Sequence, residues 1–344
     1  MLAAVLNGPE DLQVVEKSKP EPQENEVVIK VKYCGICGSD LHAYQSGLFP
    51  FGMTIGHEYS GLIEAVGTGV RGFSAGQKVT GTASIACRSC NSCMTGKDNI
   101  CEAMNVVGVT REGAMAEYLS VPHESLVPIP DNLPLEFGAL TEPYSVALHG
   151  INLSGIKPGH TAAIIGAGAI GLCLLAELKR RGIEQVYITD LNVGRLKTAL
   201  KMEATAAFNA KNEDFEKELN RLTSGAGVDY VFECVGVPAT MRDAPGLVRQ
   251  GGTVVYLGIC EIPVELFFLG LVTREIQLRT SYGATADEFK EALKIIISES
   301  RRLKPLVEHM ISLENLQVEG FTALMGDDCA AIKLLVKINH PEEV

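Results

Sequence analysis

A glycine-rich turn set between a strand and a helix is the feature that most constrains how this chain folds. Residues 161–165 form a short apolar β run, the turn Gly166-Ala-Gly-Ala-Ile-Gly171 follows, and residues 172–178 are apolar with helical character. A second β run ends in Asp190, nineteen residues after the last glycine. The three glycines permit a tight turn, the close approach of a pyrophosphate, and close packing of helix on strand. The pattern predicts a dinucleotide-binding βαβ unit.

The acid at the end of the second strand indicates which dinucleotide binds. A carboxylate at Asp190 accepts hydrogen bonds from the ribose hydroxyls of NAD and repels the 2′-phosphate of NADP. Leu191 and Asn192 supply no cation to offset that repulsion, and Arg195 is expected to contact adenine or solvent from the following helix. We therefore predict NAD as the cofactor. The residues assigned to its site are Gly166, Gly168, Ala169, Ile170, Gly171, Asp190, Arg195 and Val235.

Four cysteines lie close together in the run Cys87-x2-Cys90-x2-Cys93-x7-Cys101. Four thiolates at this spacing can surround one tetrahedral Zn²⁺. Accidental clustering or a disulfide knot is the alternative, but ten cysteines in 344 residues are too sparse for a disulfide scaffold. Because four protein ligands leave no open coordination position, we predict a structural zinc that holds together a polar loop.

A second group of candidate metal ligands combines a thiolate, an imidazole and a carboxylate. These are Cys37, His57 and Glu58, with Glu142 as a fourth candidate that binds directly or through water. Two alternatives compete with a metal site. Cys34 and Cys37 have the spacing of a redox pair, but that motif belongs at a helix start, and here we expect a glycine-punctuated turn. His57 and Glu58 could also form an ordinary polar turn.

Together these motifs resemble the zinc-dependent medium-chain dehydrogenase/reductase family over nearly the whole chain. Cys37-Gly-Ser-Asp-Leu-His42, Gly56-His57-Glu58 and Thr141-Glu142-Pro143 are most similar to its polyol, butanediol and threonine dehydrogenase branch. Alcohol dehydrogenases outside this branch usually have a cysteine where Glu142 stands. The resemblance implies that Cys37 and His57 bind a catalytic zinc, and that Glu58 or Glu142 completes its coordination. Which glutamate does so is left open.

The resemblance also implies the reaction, a hydride transfer between a small-molecule secondary alcohol and NAD. The two clusters of candidate ligands predict two zinc ions per chain. Zinc in an open site lowers the pKa of the substrate hydroxyl, and the hydride then passes to the nicotinamide. Ser39 and His42 resemble the proton relay of the family, although a turn hydrogen bond and a surface histidine are the alternatives. Asp40 is expected to accept a hydrogen bond from a ligand imidazole or from nearby backbone.

The substrate is not determined by these residues. A short diol, a polyol or a sugar alcohol would give a ketone, and an amino alcohol such as threonine is the alternative. Tyr44, Phe49 and Phe51 could line a small apolar pocket or could simply pack their loop. Polyol dehydrogenases tend to have an arginine directly before the tyrosine that is Tyr282 here, and Ser281 at that position weakens a long-polyol assignment.

Two other protein classes are alternatives to a zinc dehydrogenase. A zinc-free quinone-reductase relative would lack Cys37, His57 and the four-cysteine loop, all of which are present. A non-catalytic NAD(H) sensor would be expected to have lost a metal ligand or the proton relay, and none is missing. The sequence therefore favours an enzyme.

The chain is long enough for two domains, because 344 residues exceed the usual single-core size. Short β runs alternate with Gly and Pro turns up to about residue 150, which predicts an irregular antiparallel barrel. Strands and helices alternate from about residue 155, which predicts a doubly wound parallel sheet. We therefore expect a GroES-like irregular β-barrel catalytic domain at 1–153, a Rossmann NAD-binding domain at 154–288, and a return to the catalytic domain at 289–344. The active site is expected in the cleft between the domains.

The net charge, the apolar runs and the cysteines of the chain limit the kinds of partner and location that are expected. The net charge of −12 argues against nucleic acid, which requires a basic face. No charge-free apolar run reaches membrane-spanning length, and the N-terminal residues lack the features of a signal peptide. Cysteines arranged largely as metal ligands suit a reducing compartment, so a cytoplasmic location is expected. We also expect a homo-oligomer, either a dimer or a tetramer.

Overall fold

The computed structural model describes residues 1–47, 49–326 and 331–340, and these residues form two compact units. The first unit comprises Met1–Ser145 and, of the described C-terminal residues, 285–326 and 333–340. The second comprises Val146–Ala284 with residues 331 and 332. Each unit has its own core and its own sheets.

The secondary-structure elements of both units follow one another in chain order. The strands are β1 (Leu2–Gly8), β2 (Asp11–Glu16), β3 (Glu26–Gly35), β4 (Met53–Thr54), β5 (Glu58–Val66), β6 (Lys78–Gly81), β7 (Ser84–Ile85), β8 (Asn105–Val106), β9 (Tyr118–Pro122), β10 (Leu126–Pro128), β11 (Thr161–Ile165), β12 (Gln185–Asp190), β13 (Ala206–Asn209), β14 (Val228–Glu233), β15 (Val248–Tyr256), β16 (Gln277–Thr280), β17 (His309–Ser312) and β18 (Leu334–Lys337). The α-helices are α1 (Gly38–Ser46), α2 (Asn91–Met94), α3 (Leu135–Ala139), α4 (Thr141–Ser154), α5 (Ala169–Arg180), α6 (Val193–Lys201), α7 (Phe215–Leu222), α8 (Pro238–Leu247), α9 (Phe268–Thr273), α10 (Ala286–Leu303) and α11 (Ala323–Met325).

The second unit is built on a parallel sheet of six strands in the order β13-β12-β11-β14-β15-β16. The inner strands β11, β12 and β14 are largely apolar and buried, as expected when helices connect parallel strands and cover them, whereas the edge strand β16 is exposed. The strand order reverses between β11 and β14, and open α/β sheets bind their ligands beyond the carboxyl ends of the strands at such a point. The predicted Rossmann sheet is therefore confirmed.

The first unit contains a larger, mostly antiparallel sheet. Its order is β10-β6-β5-β3-β18-β17, and β9 also pairs with β3. The long strand β3 bends against β5, with register shifts where Gly61 lies too close to the backbone of Lys30 to carry a Cβ. The strands of this sheet that precede residue 150 pair antiparallel, as predicted, and the C-terminal strands β17 and β18 add a parallel pair.

The division between the units differs from the predicted domain boundaries. It falls between Ser145 and Val146, inside α4, instead of after residue 153. The reason is that the second half of this helix packs in the second unit, where Gly150 leaves room for the side chain of Leu257. The later boundary falls at Thr285 instead of residue 289, because Thr285 and Glu288 form the capping box that begins α10.

Among the residues that the structure describes, none of the helices combines the length and the apolar character needed to span a bilayer.

Candidate active site

Three candidate metal ligands converge within the first unit. Cys37 is the N-cap residue of α1, directly after β3, and His57 and Glu58 stand at the start of β5. Because β3 and β5 are paired, with Gly35 opposite Glu58, the two segments that carry the ligands run side by side. One ligand atom of each of the three residues lies within 4.8 Å of the other two. The structure thus brings together the thiol, imidazole and carboxyl groups that the sequence predicts as metal ligands.

The redox-pair alternative is excluded on different grounds from those expected. The two cysteines do stand at the end of a strand and the start of a helix, so the prediction of a glycine-punctuated turn was wrong. Cys34, however, is fully buried, and its Sγ donates to the carbonyl of Gly35 at 3.6 Å. Burial raises the pKa of Cys34 well above its usual value, so it stays a protonated thiol and an unreactive partner for Cys37.

A buried carboxylate faces the imidazole and holds the turn that carries Cys37. Asp40 Oδ2 accepts a hydrogen bond from the backbone N–H of Cys37 at 2.9 Å, and Oδ1 lies 3.7 Å from His57 Nδ1. Burial raises the pKa of Asp40. Burial by itself lowers the pKa of His57, but the carboxylate of Asp40 and the sulfur of Cys37 raise it well above its usual value. With Nδ1 facing Asp40, the other ring nitrogen is left to bind a metal.

Glu58 is held by a lysine that the sequence analysis missed. Lys333 Nζ donates to Glu58 Oε1 at 2.6 Å and to the carbonyl of Ile36 at 2.7 Å, and all of these groups are buried. Burial by itself lowers the pKa of Lys333, but the carboxylate of Glu58 raises it above its usual value. The second oxygen, Oε2, fits against Gly35, where a Cβ would overlap it. The signal in the sequence is a single lysine in the otherwise apolar stretch 331–336.

Glu142 stands outside the group of three. Its carboxylate is not within 4.8 Å of the ligand atoms of all of them, although it interacts electrostatically with His57 and Glu58. Burial raises the pKa of Glu142 to about 7. The two relay candidates, Ser39 and His42, are both half-buried and lie three residues apart on α1, so they share one face of that helix.

The aromatic residues before His57 serve mainly to pack the first unit. Tyr44 is buried, and its ring centroid lies 5.2 Å from that of Phe321. Phe49 is buried as well, whereas Phe51 is about half exposed and lies against Gly47. The structure therefore favours loop packing over a role for Tyr44 and Phe49 in a substrate pocket.

The buried atoms around Cys37 fit a metal ion. Among the described side chains, Asp40 Oδ1, His57 Nδ1 and Glu58 Oε2 are buried without a hydrogen-bond partner. Buried polar atoms are normally satisfied. His57 Nδ1 and Asp40 Oδ1 face each other at 3.7 Å, so the atom that indicates a missing ligand beside the thiol is Glu58 Oε2. Thiolate, imidazole and carboxylate are the donors that zinc takes in catalytic sites, with a further position for water or substrate.

The four cysteines of the polar loop also converge. Their sulfurs lie within 4.8 Å of one another, with Cys90 Sγ 3.5 Å from Cys93 Sγ and 3.9 Å from Cys101 Sγ. A tetrahedral zinc with Zn–S bonds of about 2.3 Å requires about 3.8 Å between sulfurs. Backbone N–H groups point at the sulfurs, as from Cys87 to Cys101 at 3.2 Å. Hydrogen bonds from Ser89 and from neighbouring backbone lower the pKa of Cys87 to about 6, which favours the thiolate that a metal needs.

The glycine-rich turn has the shape that a pyrophosphate requires. Gly166 has a φ of +101°, and a Cβ there would lie 2.9 Å from Val235 Cγ2. A Cβ on Gly171 would overlap the carbonyl of Gly166, so the helix can pack this closely only with glycine. At Gly168, the N-cap residue of α5, a Cβ would meet nothing within 4 Å. The space over Gly168 and the free N–H groups of the first helical turn fit a phosphate group.

The predicted ribose acid joins the turn to the next strand. Asp190 Oδ2 accepts from the backbone N–H of Ala167 at 2.7 Å, and Oδ1 accepts from that of Asn192 at 2.8 Å. Each oxygen keeps a second lone pair for a ribose hydroxyl. Arg195 is half-buried, and its Nε donates to the carbonyl of Ala331 at 3.2 Å, a partner that the sequence did not predict.

Comparison with known proteins agrees with both halves of the chain. Residues 23–131 match the family described as "Alcohol dehydrogenase GroES-like domain", and residues 169–298 match "Zinc-binding dehydrogenase". The chain is 32% identical to the L-threonine 3-dehydrogenase of Pseudoalteromonas atlantica, over 93% of this chain and 95% of that protein.

Two solved structures resemble the chain over nearly its full length. The 2R,3R-butanediol dehydrogenase of Bacillus subtilis has a TM-score of 0.89 and 32% identity, over 98% of this chain and 99% of that chain. A protein of Sinorhizobium meliloti 1021 solved with NADP bound has a TM-score of 0.90 and 29% identity, over 98% of both chains. The two family matches, the paired metal-ligand clusters and the glycine turn lead to one conclusion: the chain belongs to the zinc-dependent alcohol dehydrogenases of the medium-chain dehydrogenase/reductase family.

Proposed function

We propose that this chain oxidises a secondary alcohol to a ketone, with NAD as the hydride acceptor and a zinc ion at Cys37 and His57. The substrate class that we propose is a short vicinal diol, a polyol or a sugar alcohol. The observation that carries the proposal is the group of three ligands in the first unit, which differs from the closed four-cysteine site by offering zinc an incomplete set.

The residues around the group of three have separate tasks. A zinc ion bound there would supply a Lewis acid that lowers the pKa of an alcohol hydroxyl. Cys37 and His57 hold the ion, and Asp40 fixes the orientation of the imidazole. Glu58, paired with Lys333, or Glu142 completes the coordination, the latter directly or through water.

The proton released from the alcohol needs a route to solvent. We assign this route to Ser39 and His42, which share a face of α1. Both side chains are only half-buried, so they can carry a proton from the buried cluster toward water. The bound NAD supplies the hydride acceptor. The carboxylate of Asp190, which still has free lone pairs, favours NAD over NADP.

The number of metal ions is also part of the proposal. The sulfur positions of Cys87, Cys90, Cys93 and Cys101 support a second, structural zinc, which gives two ions per chain. We further propose a cytoplasmic homo-oligomer that acts without nucleic acid or membrane, in line with the net charge of −12.

A second candidate substrate is an amino alcohol of the L-threonine type. The relative from Pseudoalteromonas atlantica favours it, at 32% identity over most of both chains. The similarity to butanediol dehydrogenase of Bacillus subtilis, at the same identity, favours the diol. Thr141-Glu142-Pro143 resembles the diol and the threonine dehydrogenases alike and does not separate the two.

A substrate screen tests the proposal. The purified protein is incubated with NAD or NADP and with vicinal diols, linear polyols, sugar alcohols and L-threonine, and the absorbance of reduced nicotinamide is recorded. We expect turnover with one of these classes, a preference for NAD, and no turnover in the Cys37→Ser variant. Zinc-loaded protein that binds NAD but turns over no alcohol would overturn the proposal in favour of a non-catalytic NAD(H) sensor.

A further inference from the structure

A buried carboxylate lies at the switch point of the parallel sheet and has no assigned role. Glu233 is the last residue of β14, and no part of it is exposed to solvent. Its register partner on β11 is Ile165, which directly precedes the glycine turn at Gly166. The carboxylate therefore belongs to the strand next to the phosphate-binding turn, at the edge of the sheet where the ligand binds.

The side-chain oxygens of Glu233 are surrounded by hydrogen-bond donors. Oε1 accepts from the backbone N–H groups of Val235 and Gly236, both at 3.0 Å, and from the hydroxyl of Thr240 at 2.7 Å. Oε2 accepts a longer bond from Gly236 at 3.3 Å and lies 2.6 Å from where a Cβ on Gly258 would be. Hydrogen bonds donated to both oxygens favour the charged form of a carboxylate.

The negative charge has no counter-ion among the residues that the structure describes. Its partners are two backbone N–H groups and a hydroxyl, all neutral. The charge of Glu233 also contributes to the pKa values of neighbouring side chains. Burial, assisted by the charge of Glu233, raises the pKa of Tyr256 to about 12, and burial with the same charge raises the pKa of Cys234 well above its usual value.

The same residue joins the turns that surround the ligand edge. The backbone carbonyl of Glu233 accepts from Leu257 at 2.8 Å and from Gly258 at 3.0 Å, so its main chain fastens the end of β15 to β14. Its side chain fixes Val235, whose Cγ2 would touch a Cβ on Gly166. Asp190, at the end of β12, is the acid proposed for the adenosine ribose, so the half formed by β14, β15 and β16 is left for the nicotinamide nucleotide.

We propose that the uncompensated charge of Glu233 makes the cofactor site prefer the oxidised nicotinamide, and so sets the redox poise of the bound cofactor. NAD⁺ and NADH differ by one positive charge on the nicotinamide ring, whereas their phosphates, riboses and adenine are the same. A negative charge buried at the end of β14, in the half of the sheet left for the nicotinamide nucleotide, stabilises the cationic form relative to the neutral one. This proposal rests on one part of the proposed function, the binding of a nicotinamide cofactor.

The expected size follows from Coulomb's law. Two unit charges about 10 Å apart at an effective dielectric constant of about 20 change an equilibrium by about tenfold, and partial exposure of the ring reduces this. We therefore expect loss of the charge to raise the ratio Kd(NAD⁺)/Kd(NADH) by about threefold to tenfold. A tenfold change raises the potential of the bound two-electron couple by about 30 mV.

The test is the Glu233→Gln variant of the full-length, zinc-loaded protein. Glutamine keeps the shape, and its Oε1 can accept the same three hydrogen bonds. Both dissociation constants are measured, by isothermal titration calorimetry for NAD⁺ and by fluorescence for NADH. We expect the affinity for NAD⁺ to fall and that for NADH to stay the same or rise. Equal changes in both constants, or none, would overturn the proposal.

Two control variants separate the charge from the geometry. Thr240→Val removes one hydrogen bond to Glu233 but keeps the charge of Glu233. Asp243→Asn removes an exposed charge from α8, the helix that carries Thr240. Both should leave the ratio of the constants unchanged, and a shift with Thr240→Val would show that turn position, not charge, is decisive. If Glu233→Gln does not fold, Thr240→Lys replaces it by placing a cation beside the carboxylate, and an unchanged ratio there overturns the proposal.

The same measurements distinguish failure of this proposal from failure of the proposed function. If unmutated protein bound neither NAD⁺ nor NADH, the nicotinamide assignment itself would be wrong. If it bound both and the ratio did not respond to Glu233→Gln, only the role of Glu233 would be lost.

Discussion

Replacing Lys333 with methionine tests whether its ion pair with Glu58, a residue far away in the sequence, stabilises the candidate metal site. The ammonium donates to Glu58 Oε1 at 2.6 Å and to the carbonyl of Ile36 at 2.7 Å. The side chains of Lys333 and Glu58 are only 4% and 1% exposed. Methionine fills a similar volume but has no charge and no N–H, so the substitution removes the pairing with little change in packing.

The expected loss of stability is large because both partners are buried. Removing one member of a buried ion pair leaves an uncompensated charge and costs about 3–5 kcal/mol. Each kcal/mol shifts the melting temperature of a domain of this size by about 2–4 °C, so we expect Tm to fall by about 6–20 °C. The effect should be centred on the first unit, to which both residues belong.

Urea and thermal unfolding, followed by circular dichroism, measure the loss. Lys337→Met is the matched control, because Lys337 stands on the same strand β18 but is exposed, and it should change stability by no more than about 0.5 kcal/mol. Adding Glu58→Gln to Lys333→Met should recover part of the loss, since a neutral amide does not need a cation. A loss below about 1 kcal/mol for Lys333→Met alone would refute the reasoning.

Four further predictions address the metals and the cofactor. Elemental analysis of protein purified without chelator should return close to two zinc ions per chain, because two ligand clusters are present; a value near one with full activity would remove one site. Cys37→Ser should abolish turnover and largely keep the fold, whereas Cys93→Ser should chiefly lower thermal stability, and near-normal turnover of Cys37→Ser would contradict the mechanism. Steady-state kinetics should show a preference for NAD over NADP of at least about a hundredfold, roughly 2.7 kcal/mol, that Asp190→Ala mostly erases; comparable efficiencies before mutation would mean that Asp190 does not face the ribose. Gly171→Ala should destabilise the second unit by about 1–3 kcal/mol, because its Cβ would overlap backbone, whereas Gly168→Ala should keep stability and weaken cofactor binding, and equal stability losses would contradict this division of roles.

The sequence by itself determined the features that depend on local patterns. The four cysteines are spaced closely enough to converge wherever the loop lies. The glycine turn, its strand and its helix occupy one continuous stretch, and the alternation of strands and helices after residue 155 predicts the parallel sheet. These predictions required only short-range geometry, and the strand order and the family matches confirm the fold.

The element boundaries and the loop aromatics were less accessible. Helix α4 is one continuous pattern in the sequence, yet the division between the two units runs through it. The sequence does not decide whether Tyr44 lines a pocket or packs its loop, and in the structure it packs against Phe321. Local patterns cannot show which distant side chain will occupy the neighbouring space.

Only the tertiary structure decided how the charges near the two candidate sites are held. Lys333 reaches Glu58 across 275 residues of chain, because β18 returns to pair with β3 beside β5. Glu233 has no cation near it in the described structure, which no count of charges in the sequence would reveal. The physical reason is that the energy of a buried charge depends on its desolvation and on the partners that the fold brings to it, and both are set by packing between segments far apart in the chain.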